Sequence, residues 1–104
     1  MRRAEFFAEA ERDLLDLRRY LGRQSGSLRL ASDFTGRLRA RCDDIASLPG
    51  TLGKTRDDLG VSVRSIAWRD YVILFRYLDD RIQIIRILHG QRDLPAAVTP
   101  NDES

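Results

Sequence analysis

The sequence predicts an α+β fold: a two-helix hairpin packed on one face of a small antiparallel β-sheet, with its elements in the order β-α-α-β-β-β. Three observations predict it. Apolar residues recur at steps of three and four through most of residues 7 to 48, the period of a helix with one buried stripe. Beyond Gly60 that period gives way to short runs of valine, isoleucine and aromatic residues, which is strand composition. Between two of those runs stands Asp79-Asp80, a polar pair of hairpin-loop length.

Taken in order, Arg3 to Phe7 is short and aromatic enough to open the chain as a strand. In the first helix Phe7, Ala10, Leu14, Leu17 and Leu21 form the stripe, and Gly22, Ser25, Gly26 and Ser27 cluster into the loop after it. The second helix carries Ala31, Phe34, Leu38, Cys42, Ile45 and Leu48, and Leu48-Pro49-Gly50 stops it. Val61 and Val63 alternate with Ser62 and Arg64 before Ile66 and Trp68 shift the phase, which predicts a bend or bulge in a strand. Tyr71 to Leu78 is apolar except at Arg76, as a central strand covered on both faces would be, and Arg81 to Leu88 returns beside it.

With Asp79 and Asp80 as the loop, regular pairing sets Leu78 opposite Arg81 and Val72 opposite Ile87. One face then holds Tyr71, Ile73, Phe75, Tyr77, Ile82, Ile84, Arg86 and Leu88. It is assigned to the helices, with Arg86 paired to Asp13, Asp43 or Asp44. The other face holds Val72, Leu74, Arg76, Leu78, Arg81, Gln83, Ile85, Ile87 and His89. An open patch of Val72, Leu74, Ile85 and Ile87 is larger than a monomer usually leaves wet, so something should cover it.

Composition narrows the function classes. A chain of 104 residues, 42% apolar and 33% charged, is one soluble domain spanning 1–104, with a core over 1–98 and a flexible tail at 99–104. No apolar run reaches the roughly 18 residues of a membrane helix, so no membrane partner is expected. Cys42, the one cysteine, cannot form an internal disulfide, and a cytoplasmic location follows as the expectation. Of the 18 basic residues only Lys54 is a lysine, and the net charge of +2 is too even to announce nucleic-acid binding. The stretch from Gly60 to Arg92 is locally basic, with Arg64, Arg69, Arg76, Arg81, Arg86 and Arg92 against Asp70, Asp79 and Asp80. That basic stretch reads either as a solvated, ion-paired sheet surface or as the contact for an anionic partner, RNA phosphate or an acidic protein segment.

The chemistry-bearing residues are few. No cluster of histidine, cysteine or acidic residues has metal-ligand spacing, and neither metal nor cofactor is expected. Gly50-Thr51-Leu52-Gly53-Lys54-Thr55 ends in Gly-Lys-Thr, yet it lacks the four-residue gap between glycines that a phosphate loop requires. Cys42 lies on the apolar stripe and reads as a core residue. A lone histidine at a strand end, His89, is more often structural than catalytic. Trp68 is open to two readings, core anchor or exposed contact.

In this order several words of the sequence stand together. They are Ala10-Glu11-Arg12-Asp13-Leu14, Leu48-Pro49-Gly50, Arg56-Asp57-Asp58-Leu59-Gly60, Tyr71-Val72-Ile73-Leu74-Phe75-Arg76, and Ile84 through Asp93 with its Arg86, His89 and Arg92. Across nearly the whole chain they resemble the RelE/ParE toxin superfamily of type II toxin-antitoxin systems, and the ParE branch most. The resemblance implies a bacterial toxin neutralised in a hetero-oligomer by a cognate, ParD-like antitoxin, for which Val72, Leu74, Ile85 and Ile87 are the expected contacts. It further implies DNA gyrase as the target and arrest of DNA replication as the outcome, with Arg64, Arg76, His89 and Arg92 as target-binding residues and no catalytic centre. The alternative within the superfamily is a RelE-like endonuclease acting on mRNA at the ribosome, for which the same four residues would be catalytic. Val72 stands where that branch carries an arginine after the strand tyrosine, and no tyrosine follows Tyr77, so the ParE-like reading is preferred.

Overall fold

The computed structural model describes residues 2–90, so Arg92 and the tail expected at 99–104 lie outside the described residues. A short strand β1 (Arg3–Phe6) leads into α1 (Ala8–Ser25) and α2 (Leu28–Ser47), and then come β2 (Lys54–Thr55), a 3-10 turn (Asp57–Leu59), β3 (Arg64–Trp68), β4 (Tyr71–Tyr77) and β5 (Arg81–His89). The expected order is present, with the two-residue β2 as an addition. The five strands form one sheet in the order β1-β5-β4-β3-β2.

Local chemistry sets each boundary. Glu9 and Glu11 sit in the first turn of α1, where carboxylates complement the helix dipole. Gly26 ends it in the left-handed region (φ 72°), with its N–H donating to the Gly22 carbonyl at 2.9 Å. One residue later the Ser27 hydroxyl accepts from the Leu30 N–H at 3.1 Å and caps α2. Ala10, Leu14 and Leu17 of α1 and Ala31, Leu38, Cys42, Ile45 and Ala46 of α2 are buried, so both stripes face the sheet as expected. Leu48, read as part of the second stripe, is 41% exposed because the helix has already stopped.

The sheet is antiparallel from β2 through β5 and mixed overall, because β1 pairs parallel with β5, Arg3 against Arg81 through Phe6 against Ile84. The expectation of a wholly antiparallel sheet fails at this one pairing. Two antiparallel helices carry the chain out and back, and the partner of β1 is the last strand, which local periodicity cannot show.

The β4–β5 hairpin corrects the expected faces. Leu78 N–H donates to the Arg81 carbonyl at 2.8 Å, so Asp79-Asp80 is the loop, and Phe75 pairs with Ile84 as expected. A bulge follows: Leu74 pairs with Arg86, Ile73 with Ile87, Val72 with Leu88 and Tyr71 with His89. One extra residue on β5 reverses every side chain beyond it. Ile87 therefore joins the core under the helices at 5% exposure, and Leu88 takes its place on the far side. The physical reason is Arg86. A regular register would drive its charge beneath the helices and put Ile87 in water, and the bulge avoids both costs.

A second expectation moves for a similar reason. Val61 and Val63 do not begin a strand; Val61 is 83% exposed and Ser62 adopts φ 63°, so the phase shift is a turn ahead of β3 rather than a bulge within it. The main core lies between the helices and the sheet, where Leu38, Cys42, Ile45, Ile73, Phe75, Ile82 and Ile84 are fully buried.

Candidate functional site

The face of the sheet turned away from the helices is the candidate site. At its upper end Leu74 and Leu88 are buried against Val63, with Leu59, Val72 and Ile85 partly buried around them. The greasy patch expected to lie open is thus partly covered by the chain itself, through the 3-10 turn and the residues after it. What remains for a partner is the half-buried pair Val72 and Ile85. The covering segment is fastened at its tip, where Arg76 Nε donates to the Val61 carbonyl at 3.2 Å.

Below the apolar patch the same face turns polar. Arg76 Nη1 reaches Gln83 Oε1 at 3.4 Å, Gln83 Nε2 donates to Glu5 Oε1 at 3.3 Å, and Arg81 Nε donates to the same carboxylate at 2.9 Å. The hydrogen bond from Arg81, then that from Gln83, holds the Glu5 carboxyl below the usual carboxylate range. A ladder across β1, β5 and β4 therefore borders the patch, charged but internally matched.

Arg64 belongs elsewhere. Its Nε donates to the Leu52 carbonyl at 2.8 Å and its Nη2 to the Gly53 carbonyl at 3.1 Å. The Leu52 N–H donates to the Tyr77 hydroxyl at 2.8 Å, and Arg2 donates to the carbonyls of Leu48 and Gly50, both at 3.0 Å. Three side chains thus pin the segment after α2. Gly53 is required within it: at φ 84° a Cβ would stand 2.8 Å from the Ser65 carbonyl oxygen and 3.1 Å from the Phe75 ring. The Gly-Lys-Thr run accordingly enters a strand, not the helix N-terminus that a phosphate loop needs.

His89 pairs with Tyr71 on the helix side, its ring edge-on at 5.3 Å, and so is not on the open face where regular pairing had put it. Arg64 is likewise opposite buried Phe75. Of the four expected target-binding residues, Arg64 and His89 lie toward one side of the sheet, Arg76 toward the other, and Arg92 falls outside the described residues. They are not brought together. Cys42 is fully buried and its thiol is pushed up to about 12, chiefly by that burial, which keeps it protonated and inert.

Of the expected apolar contacts, Val72, Leu74 and Ile85 do share a face, whereas Ile87 does not. Leu88, Val63 and Leu59 are the residues that periodicity missed. The signal for Leu88 was Arg86 itself, the single charge on a face otherwise fit for the core. Arg86 turns instead to α1, where Nε and Nη2 donate to Asp13 at 2.8 and 3.1 Å, and Asp13 also accepts the Ile87 N–H at 2.9 Å. Asp13 was among the three acids expected, but Arg86 is 44% exposed and the pair is not a buried one.

Fold and site together define a small α+β protein with helices on one side of its sheet and, on the other, an apolar patch bordered by a matched polar ladder. Residues 5–94 match the family model of the ParE toxin of the type II toxin-antitoxin system parDE, and the chain belongs to that family. In fold it is similar to a solved structure from P. aeruginosa described as a chromosomal ParDE TA system, with a TM-score of 0.71 and 19% identity, over 86% of this chain and 96% of that one. No curated protein matches the sequence. Among the described residues no helix is long and apolar enough to cross a membrane.

Proposed function

We propose that this ParE-family toxin acts on DNA gyrase in the cytoplasm, halts DNA replication without a catalytic centre of its own, and is held inactive by a ParD-like antitoxin that covers the open sheet face. One observation carries the choice of gyrase over mRNA. Cleavage through a 2′-hydroxyl needs a base, an acid and cations gathered on one phosphate. Here Arg64 is bound to two backbone carbonyls, Arg76 holds Val61 and Gln83 on the other side of the sheet, and His89 meets the Tyr71 ring edge-on. The antitoxin reading rests on Val72 and Ile85, which stand half-exposed beside the covered Leu74 and Leu88. A partner segment would complete a cover that Leu59 and Val63 begin. The test is a supercoiling assay with purified gyrase beside an mRNA-integrity assay in translating lysate. Inhibited supercoiling with intact transcripts is expected; codon-positioned cutting, lost in His89→Ala, would overturn the reading.

A further inference from the structure

A second surface lies on the other side of the sheet, where the turn between β3 and β4 meets the first half of α2. Trp68 and Phe34 stand edge to face at 5.2 Å, and Phe34 meets Tyr71 at 5.9 Å. The Arg69 guanidinium lies over Trp68 at 4.9 Å and 6.0 Å from the Phe34 ring. Phe34, Leu30, Asp33 and Arg37 also line a groove that opens beside this cluster. Leu30 is 52% exposed and Leu28, at the end of the helix hairpin, 77%.

Arg69 is unusual in two respects. It occupies the left-handed region (φ 57°) in a tight turn, a conformation in which glycine, asparagine or aspartate is at home and arginine is strained. Strain of that kind persists where a side chain is needed in place. In addition, among the described residues no carboxylate or carbonyl accepts from its guanidinium, which lies over two aromatic rings. Contact with the two rings holds the guanidinium beside the groove, and a planar fork held there suits a bidentate acceptor.

We propose that Leu30, Phe34, Arg37, Trp68 and Arg69 form a target-contact surface, in which Arg69 receives a carboxylate of the target protein while an apolar side chain next to that carboxylate enters the groove at Phe34. The composition decides for a protein over a nucleic acid. Phe34 and Trp68 are half-buried and Arg37 and Arg69 exposed, and aromatic and arginine side chains are what protein interfaces concentrate at their centres. Asp33 and Asp70 stand exposed within the same area, and a continuous run of phosphates would have to pass over both, whereas a single carboxylate need meet only the arginines. The location decides for the target over the antitoxin, because the surface assigned to the antitoxin is on the opposite face. The identity of that target as gyrase rests on the function proposed above.

Arg69→Gly separates a contact from a structural role. Glycine suits the turn, so the variant should melt at or above the wild-type temperature and bind antitoxin within twofold of wild type. It should nevertheless lose growth arrest on expression and need at least tenfold more protein to inhibit gyrase supercoiling. Arg69→Lys, which keeps the charge without the fork, should fall between. A folded Arg69→Gly that still arrests growth overturns the inference, as does one that loses antitoxin instead. So does salt-sensitive binding of duplex DNA by the wild type that vanishes in the variant, since it would assign the surface to phosphate. Wild-type growth arrest with untouched supercoiling removes gyrase alone, and Arg69→Gly in the growth assay then still decides this surface. A wild type that arrests nothing overturns both.

Discussion

Asp13 concentrates more of the fold in one side chain than its neighbours do. β1 ends at Phe6, so the edge of β5 beyond Ile84 has no strand beside it, and the Asp13 carboxylate takes the Ile87 N–H that a strand would have taken. The same carboxylate fixes Arg86 on the outside of the bulge. Asp13→Ala should therefore cost about 2 to 3 kcal/mol, because it leaves a backbone donor without an acceptor. Arg86→Ala should cost about 1 kcal/mol or less, its guanidinium being half in water. Chemical denaturation of both variants checks the order, and a costlier Arg86→Ala would mean the pair is buried after all. Arg64 offers a contrast, since its two carbonyl acceptors lead to an expected loss of about 1.5 to 3 kcal/mol for Arg64→Ala in the same assay. Cys42 adds a pH dependence. Its thiol is raised from 9.0 to about 12 in the fold, so above pH 9 the unfolded chain releases a proton that the native one retains. Stability falls as pH rises through that window, by about 1 kcal/mol per unit relative to Cys42→Ala. Parallel melts at pH 8 and 10 read the difference directly, and parallel slopes for the two proteins would refute it.

At the scale of elements the bulge in β5 decides which residues are core. Ile87→Asp places a carboxylate beneath the helices and should unfold the protein, whereas Ile85→Asp lies on the open face and should melt within a few degrees of wild type. Circular dichroism of the two variants settles the register, and an Ile87→Asp variant as well folded as Ile85→Asp would restore regular pairing, which leaves both residues on the open face. The same bulge shows what the sequence could reveal. Both helices, their stripes and the Asp79-Asp80 hairpin were legible, because each follows from spacing within about twenty residues. The parallel docking of β1 on β5 was not, since it joins the two ends of the described chain. The open face was half legible: Val72, Leu74 and Ile85 follow from alternation in β4 and the start of β5. Alternation carried past the bulge then moved Ile87 and His89 to the wrong side. An arginine in a core phase is the clue that such alternation has broken, and Arg86 was that clue. The covering turn at Asp57–Leu59 had no periodic signal, as three residues are too few to carry one.

For the whole molecule, the proposed function and target surface give the two faces of the sheet different duties, which should separate by mutation. The helices close one face, so a neutralising partner gains apolar burial most readily on the other, at Val72 and Ile85. Leu74 is a poor probe of that contact because it is only 5% exposed and a charge there would disturb the fold. Ile85 is the better one. Completing its burial contributes up to about 1.5 to 3 kcal/mol, so Ile85→Asp should weaken antitoxin binding at least about tenfold. The substitution leaves Arg69, Trp68 and the groove at Phe34 untouched on the far side of the sheet, so toxicity should persist. Co-expression makes the contrast visible: cells producing wild-type toxin and antitoxin should grow, and cells producing the Ile85→Asp toxin with the same antitoxin should not. Calorimetric titration on the purified pair supplies the affinity. Binding within twofold of wild type would move the antitoxin off this face, because a segment lying across Val72 and Leu74 cannot avoid a carboxylate at the bulge beside Leu74.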